Sequence, residues 1–135
     1  MRNAITSSNM ESIPMDALFA ALNGKGHTMP VEINLNDYAV AVAKLVTLAR
    51  KDCGGSRAAA QVVLSLYNGH NWHVNLIDLT VLDSDHFCAA ITAIRGRVRF
   101  NREPHEMIPN GDDVFDRLQD DWKHYHVKQR YAQSN

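Results

Sequence analysis

Two adjacent glycines, Gly54 and Gly55, separate two apolar stretches, and this arrangement constrains the fold most. Apolar residues recur every three or four positions on both sides: Tyr38, Val42, Leu45, Val46 and Ala49 before the glycines, and Ala59, Val62, Val63 and Leu66 after them. That spacing is typical of helices with one apolar face. A link this short makes consecutive helices neighbours in space. The sequence therefore predicts a helix–Gly-Gly–helix core over residues 36–69.

The same patterns predict an all-α fold, a small bundle of about five helices. Polar residues that cap helices and glycines that end them indicate the boundaries. The first helix begins near Pro14 with Ser12 as its cap and ends at Asn23. The second covers 37–52 with Asn36 as its cap, and the third covers 57–68 with Ser56 as its cap.

The second half of the chain follows the two-helix core with a less regular pattern. The apolar residues within 70–82 follow neither the helical nor the strand period, which predicts an irregular, partly extended segment with a short strand as an alternative. A fourth helix is expected from a cap at 83–85 to about Ile94, with Gly96 limiting it. Residues 97–110 contain two prolines and are predicted to form a loop. A last helix starts near Asp112 and carries its apolar stripe to Tyr125.

The predicted domain organisation is one helical domain over residues 12–131. Residues 1–11 are polar and are predicted to form a flexible tail, and residues 132–135 a frayed one. Glycines and a proline predict a linker over 24–35. A chain of 135 residues is long enough to bury a core without disulfides or a structural metal.

Composition and charge exclude some functional classes. The net charge of -1 argues against a surface built throughout for nucleic acid. No apolar run approaches the roughly 20 residues needed to cross a bilayer, so no membrane association is expected. The two cysteines, Cys53 and Cys88, do not form a Cys-x-x-Cys pair. Both are predicted to be buried thiols, which fits a reducing cytoplasm.

Seven histidines invite a test for metal binding. His70 and His73 are three residues apart, just past a helix end. A zinc site requires four ligands in tetrahedral geometry, and these two histidines supply at most two of them. Surface or capping roles are favoured for all seven, and we expect no metal and no cofactor. No nucleophile, base and acid occur in a catalytic pattern, so the protein is expected not to be an enzyme.

The most notable charged stretch contains Arg95, Arg97, Arg99, Phe100 and Arg102. Guanidinium groups bind phosphates and an aromatic ring stacks on bases, so this stretch is a candidate contact for nucleic acid or for another partner. In the alternative interpretation, the arginines form ion pairs with the aspartates of the last helix. A helix-turn-helix reader is disfavoured, because the helix over 57–68 is too apolar to face base edges.

A further pattern lies in short motifs between the end of the second helix and the start of the fourth. They are Leu48-Ala49-Arg50-Lys51-Asp52, Gly55-Ser56-Arg57, Val62-Val63-Leu64, Tyr67-Asn68, Asp78-Leu79-Thr80 and Asp83. These motifs resemble a proteobacterial domain family of unknown function found on plasmids, phages and integrative elements. The resemblance implies no activity and therefore no catalytic residue.

Together these observations predict a small cytoplasmic helical protein that acts by binding a partner protein. The resemblance implies the setting of an accessory factor of a mobile element. The alternative is a nucleic-acid-binding protein that uses the stretch from Arg95 to Arg102. The functional surface is expected in the later half of the chain, near 70–73 and 95–110.

Overall fold

The computed structural model describes residues 12–23 and 32–132, and the chain divides into two units, 1–32 and 33–135. In the first unit, helix α1 spans Met15–Leu22 and ends at Asn23, as predicted. Pro14 precedes it, and no side chain caps it, so the prediction of Ser12 as its cap is wrong. The predicted tail 1–11, residues 24–31 of the predicted linker and the last three residues lie outside the described residues.

The second unit contains five α-helices and three short 3-10 helices among its described residues. The α-helices are α2 Leu35–Ala49, α3 Ser56–Tyr67, α4 Ser84–Phe100, α5 Gly111–Asp121 and α6 Val127–Arg130. The 3-10 helices are Leu76–Val81, Pro104–Met107 and Lys123–Tyr125. Within residues 12–23 and 32–132 there is no strand, only an isolated bridge between Trp72 and His126. The all-α prediction is therefore confirmed.

The predicted helix–Gly-Gly–helix unit forms the centre of the second unit, where α2 packs against α3 and α4. Its apolar faces are buried, as predicted, and Leu45 and Val62 are at most 1% exposed. Ser56 lies within α3 rather than before it. Its hydroxyl donates a 2.7 Å hydrogen bond to the carbonyl of Leu48, which ties the turn back to the end of α2.

Helix α2 begins two residues earlier than the sequence predicted. The side chain of Asn34 accepts a 2.8 Å hydrogen bond from the amide of Asp37, and the Asp37 carboxylate accepts one of 2.9 Å from the amide of Asn34. This reciprocal pair is a capping box, which satisfies two amides that would otherwise lack a helical partner. The prediction of Asn36 as the cap is therefore wrong.

Helix α4 continues through Gly96 to Phe100, so the predictions of a helix end at Gly96 and of a loop from 97 are wrong. A Cβ atom on Gly96 would lie 2.3 Å from Cγ of Tyr38. The glycine therefore lets the ring of α2 pack directly on the backbone of α4. The helix ends at Asn101, which adopts the left-handed conformation with φ 51°.

The last predicted helix is broken into three pieces, because α5 ends at Asp121 and a 3-10 turn precedes α6. The break brings the chain back onto the core. The indole of Trp122 donates a 3.2 Å hydrogen bond to the carbonyl of Ala49, and the amide of Val127 donates one of 3.0 Å to the carbonyl of Asn71.

Both cysteines are exposed, so the prediction of buried thiols is wrong. Cys53 lies in the turn before α3, and Cys88 lies on the outer side of α4. Among the described residues, no helix combines the length and apolar character that crossing a membrane requires.

Candidate partner-binding groove

An open groove of about 520 Å³ lies between the 3-10 helix Leu76–Val81 and the first half of α4. Its lining is mostly apolar and consists of Leu76, Leu79, Thr80, Leu82, Ser84, Phe87 and Ile91. We call this surface, together with the neighbouring side chains of Ile77 and Val81, the apolar groove. Only Leu79 among these side chains is buried, and it anchors the 3-10 helix to the core.

Most apolar side chains of the groove are exposed to solvent, although the groove lies next to the core. Leu76 and Ile77 are 69% and 66% exposed, and Val81 is 50% exposed. Phe87 and Ile91, on the facing side of α4, are 44% and 39% exposed. Scattered apolar side chains are normal on a protein surface, whereas contiguous ones mark binding sites more often.

Polar contacts with α3 hold the 3-10 helix in place. The buried side chain of Gln61 donates a 2.8 Å hydrogen bond to the carboxylate of Asp78, and its carbonyl oxygen accepts one of 2.9 Å from the amide of Asn75. Arg57 Nε lies 3.6 Å from the same Asp78 carboxylate. These contacts fix the backbone while the neighbouring apolar side chains stay exposed, so the groove is a preformed surface.

One end of the apolar groove carries carboxylates at the start of α4. Asp83 caps the helix by accepting a 2.8 Å hydrogen bond from the amide of His86. This hydrogen bond, with a second from the His86 ring, lowers the pKa of Asp83, which keeps the carboxylate charged. Asp85 forms a 2.7 Å ion pair with Lys44 of α2. The capping role predicted for residues 83–85 belongs to Asp83.

The four arginines proposed for nucleic acid do not share one surface. On α4, Arg97 is rotated by about 200° from Arg95, while Arg95 and Arg99 lie one turn apart. The guanidinium of Arg97 faces the protein, where its Nε donates a 3.1 Å hydrogen bond to the carbonyl of Leu66. The fourth, Arg102, lies beyond the end of the helix.

Phe100 and Arg102 of that stretch contact the core and a nearby acid. Phe100 stacks on Tyr38, with ring centroids 6.3 Å apart. Arg102 Nε lies 3.9 Å from the Glu106 carboxylate. The backbone carbonyl of Arg102 accepts a 2.6 Å hydrogen bond from the Tyr38 hydroxyl. Nucleic-acid binding by this stretch stays a prediction, with a structural role now visible for part of it.

The histidines singled out in the sequence have separate surroundings. His70 is exposed, and the ring of His73 packs on Tyr131 with its Nδ1 3.2 Å from the tyrosine hydroxyl. Among residues 12–23 and 32–132, no group of three or more His, Cys, Asp or Glu side chains is arranged to hold a metal ion.

Cys53 is a nucleophile whose acidity is altered by its neighbours. Its Sγ lies 3.4 Å from the hydroxyl of Ser56, and this hydrogen bond lowers the pKa of the thiol. The Ser56 hydroxyl also accepts a 3.2 Å hydrogen bond from the Cys53 amide.

Residues 39–123 match the model of a family of unknown function, DUF7673. The chain belongs to this family. The DUF7673 match starts within α2 and ends just after α5, so it includes the apolar groove and the stretch from Arg95 to Arg102. Comparisons with curated proteins and with solved structures give no significant match.

Sequence reasoning missed the apolar groove. The available signal was the stretch 74–82, whose apolar residues follow neither the helical nor the strand period. Because these apolar residues do not fall on one face of a helix or strand, packing on the core covers only some of them. The other side chains must be exposed. The sequence alone does not say which ones, because that depends on the anchoring of Asp78 and Leu79.

Proposed function

We propose that this protein binds a partner protein through the apolar groove. The observation that carries the proposal is the exposure of contiguous apolar side chains on an anchored backbone, with Leu76 and Ile77 at 69% and 66%. Burying such side chains on association is favourable by about 25 cal/mol per Å² of apolar surface. A fixed backbone also reduces the entropy lost on binding.

The partner we propose is a protein segment with an amphipathic helix whose apolar stripe fills the groove. Its side chains would pack between Leu76 and Ile77 on one side and Phe87 and Ile91 on the other, as helices do in apolar grooves. A Lys or Arg next to that stripe would face Asp83, which stays charged and has no Lys or Arg partner within 4.0 Å among the described residues. An accessory role in a mobile element, implied by the resemblance, is part of this proposal.

Site-specific crosslinking in the native host tests the proposal. A photo-reactive amino acid replaces Ile77 in one strain and Val98 in another, since Val98 is also apolar and is 78% exposed but lies far along α4. We expect a discrete protein adduct from position 77 only. The adduct is identified by mass spectrometry, and the partner is purified for titration calorimetry.

The purified pair then gives the decisive measurement. Ile77→Ser should weaken binding by at least about tenfold, and Asp83→Asn by a smaller factor that shrinks at high salt. The matched control Val98→Ser should leave the affinity unchanged. Equal losses for both serine variants, or an adduct composed only of a second copy of this chain, would contradict the proposal.

A further inference from the structure

A second cleft, distinct from the apolar groove, lies beside the C-terminal elements and has a volume of about 480 Å³. Its lining comes from Trp72, from the end of α5, and from the 3-10 turn and α6 that follow it. That volume is in the range of about 300–1,000 Å³ typical of sites for small molecules. We call this cavity the C-terminal cleft.

The lining of the C-terminal cleft is rich in hydrogen-bond donors without partners. Lys123 and Lys128 make no ion pair or side-chain hydrogen bond with any described residue. The side-chain amides of Gln119 and Gln129 likewise have no partner in the described part of the chain. Two ammonium groups and two amides therefore converge on one cleft with their donors unused.

Trp72 also lines the C-terminal cleft. The residue is 3% exposed, and its indole Nε1 is buried with no hydrogen-bond partner among the described residues. A buried unpaired donor is unfavourable, so a native structure seldom carries one without a reason. Trp122, the other tryptophan, has its Nε1 paired with the carbonyl of Ala49.

His126 packs edge-on against Trp72, with ring centroids 5.3 Å apart. Its Nδ1 accepts a 3.2 Å hydrogen bond from the amide of Lys128. A nitrogen that accepts carries no proton, so the neutral ring holds its proton on Nε2 and presents one more donor. Among residues 12–23 and 32–132, the only carboxylate that lines the cleft is Asp120.

We propose that the C-terminal cleft binds a small oxyanion whose carboxylate or phosphate oxygens accept from Lys123 and Lys128. A hydroxyl or ammonium group of the same molecule donates to Asp120. Charge-assisted hydrogen bonds to an oxyanion are roughly twice as strong as neutral ones, which suits a cleft open to water. This site is independent of the apolar groove and does not rest on the proposed function.

The acidic surroundings favour a small ligand over a nucleic acid. The exposed carboxylates of α5 belong to Asp112, Asp113, Asp116, Asp120 and Asp121. They lie on the helix that leads into the cleft, and they would repel a polyanion extending past it. A single carboxylate or phosphate group between the two lysines avoids that repulsion.

The test uses the full chain, labelled with ¹⁵N, and follows its two indole N–H resonances by NMR. L-glutamate and ribose 5-phosphate serve as the carboxylate and phosphate probes, and a short oligothymidylate serves as the polyanion. A Trp122→Phe variant assigns the resonances. We expect one of the two small probes to shift the Trp72 resonance saturably. The probe that does so shows whether the oxyanion is a carboxylate or a phosphate.

The double variant Lys123→Gln/Lys128→Gln should weaken that binding by at least about tenfold. Lys51→Gln removes the same charge from the exposed turn before α3 and should not change the affinity. Both lysines of the cleft are exposed, so the double variant should remain folded. The proposal is overturned if neither small probe shifts Trp72 at up to about 10 mM, if only the oligothymidylate binds, or if both charge variants lose affinity equally.

Discussion

Helix α3 and the apolar groove have similar apolar residues but opposite environments. In α3, Val62 and Val63 are 1% and 0% exposed, because α2, α4 and α5 cover the helix. In the groove, Leu76 and Ile77 are largely exposed, since the 3-10 helix packs on α3 and leaves these two side chains in solvent. The difference teaches that apolar residues maintain the fold in the first region and are available for binding in the second.

The largest expected effect comes from placing a charge in each region. Val62→Asp puts a carboxylate where no water or partner reaches it, at a cost of several kcal/mol, comparable with the whole stability of about 5–15 kcal/mol for a domain. We expect this variant to be unfolded by circular dichroism. Ile77→Asp should stay folded, with a change of about 0.5 kcal/mol or less. A folded Val62→Asp would remove the contrast between the two regions.

The next effect concerns the glycine where two core helices meet. In Gly96→Ala, the new Cβ would lie 2.3 Å from Tyr38 Cγ, so α2 and α4 must separate at a cost of about 1–3 kcal/mol. Gly54→Ala is the matched control, because a Cβ there meets no atom within 4 Å. Chemical denaturation should show a lower midpoint for the first variant only. Equal midpoints would mean that the helix contact is adaptable.

Gly96 also shows why part of the fold was predictable and part was not. Apolar periods and polar caps are local, so the sequence indicated α3, its end at Asn68 and a cap within residues 83–85. A glycine in a helix interior is locally unfavourable, so Gly96 indicated a helix end. Only the approach of Tyr38, 58 positions earlier in the chain, explains it.

The candidate sites depend on contacts of the same long-range kind. The apolar groove requires Asp78 to be held by Gln61, and the C-terminal cleft requires Trp72 to meet His126. The arginine stretch was visible in sequence, but the position of Arg97 against Leu66 follows from packing of α4 on α3. Composition identifies residues with binding chemistry, and tertiary contacts decide which of them face solvent.

A smaller effect in the core depends on pH. Burial raises the pKa of Tyr38 from 10.0 to about 12, so the folded state favours the neutral phenol. The stability that the neutral Tyr38 phenol contributes is fully present below pH 10 and is lost as the pH rises through about 12. In Tyr38→Phe the carbonyl of Arg102 loses its 2.6 Å partner, which should cost about 1–2 kcal/mol at neutral pH.

Denaturation of the wild type and Tyr38→Phe at several pH values measures this difference. The gap between the two proteins should narrow between pH 10 and pH 12, because only the wild type has the raised pKa. Titration of the other tyrosines and the lysines affects both proteins equally and cancels. A constant gap across that range would show that the phenol is not buried as described.

The smallest expected effect tests the N-terminal boundary of the core helix pair. Asn34→Ala removes the side chain that accepts from the Asp37 amide, and loss of such a cap costs about 1 kcal/mol. Asn36→Ala changes the residue that the sequence pattern favoured, which lies inside the first turn and caps nothing. Its effect should be slightly stabilising, because alanine is the better helix former. Comparing the two denaturation midpoints shows where α2 begins, and a larger loss for Asn36→Ala would move the start of the helix to residue 37. Either outcome bears on the core region alone, since both asparagines lie on α2 or just before it and not in the apolar groove.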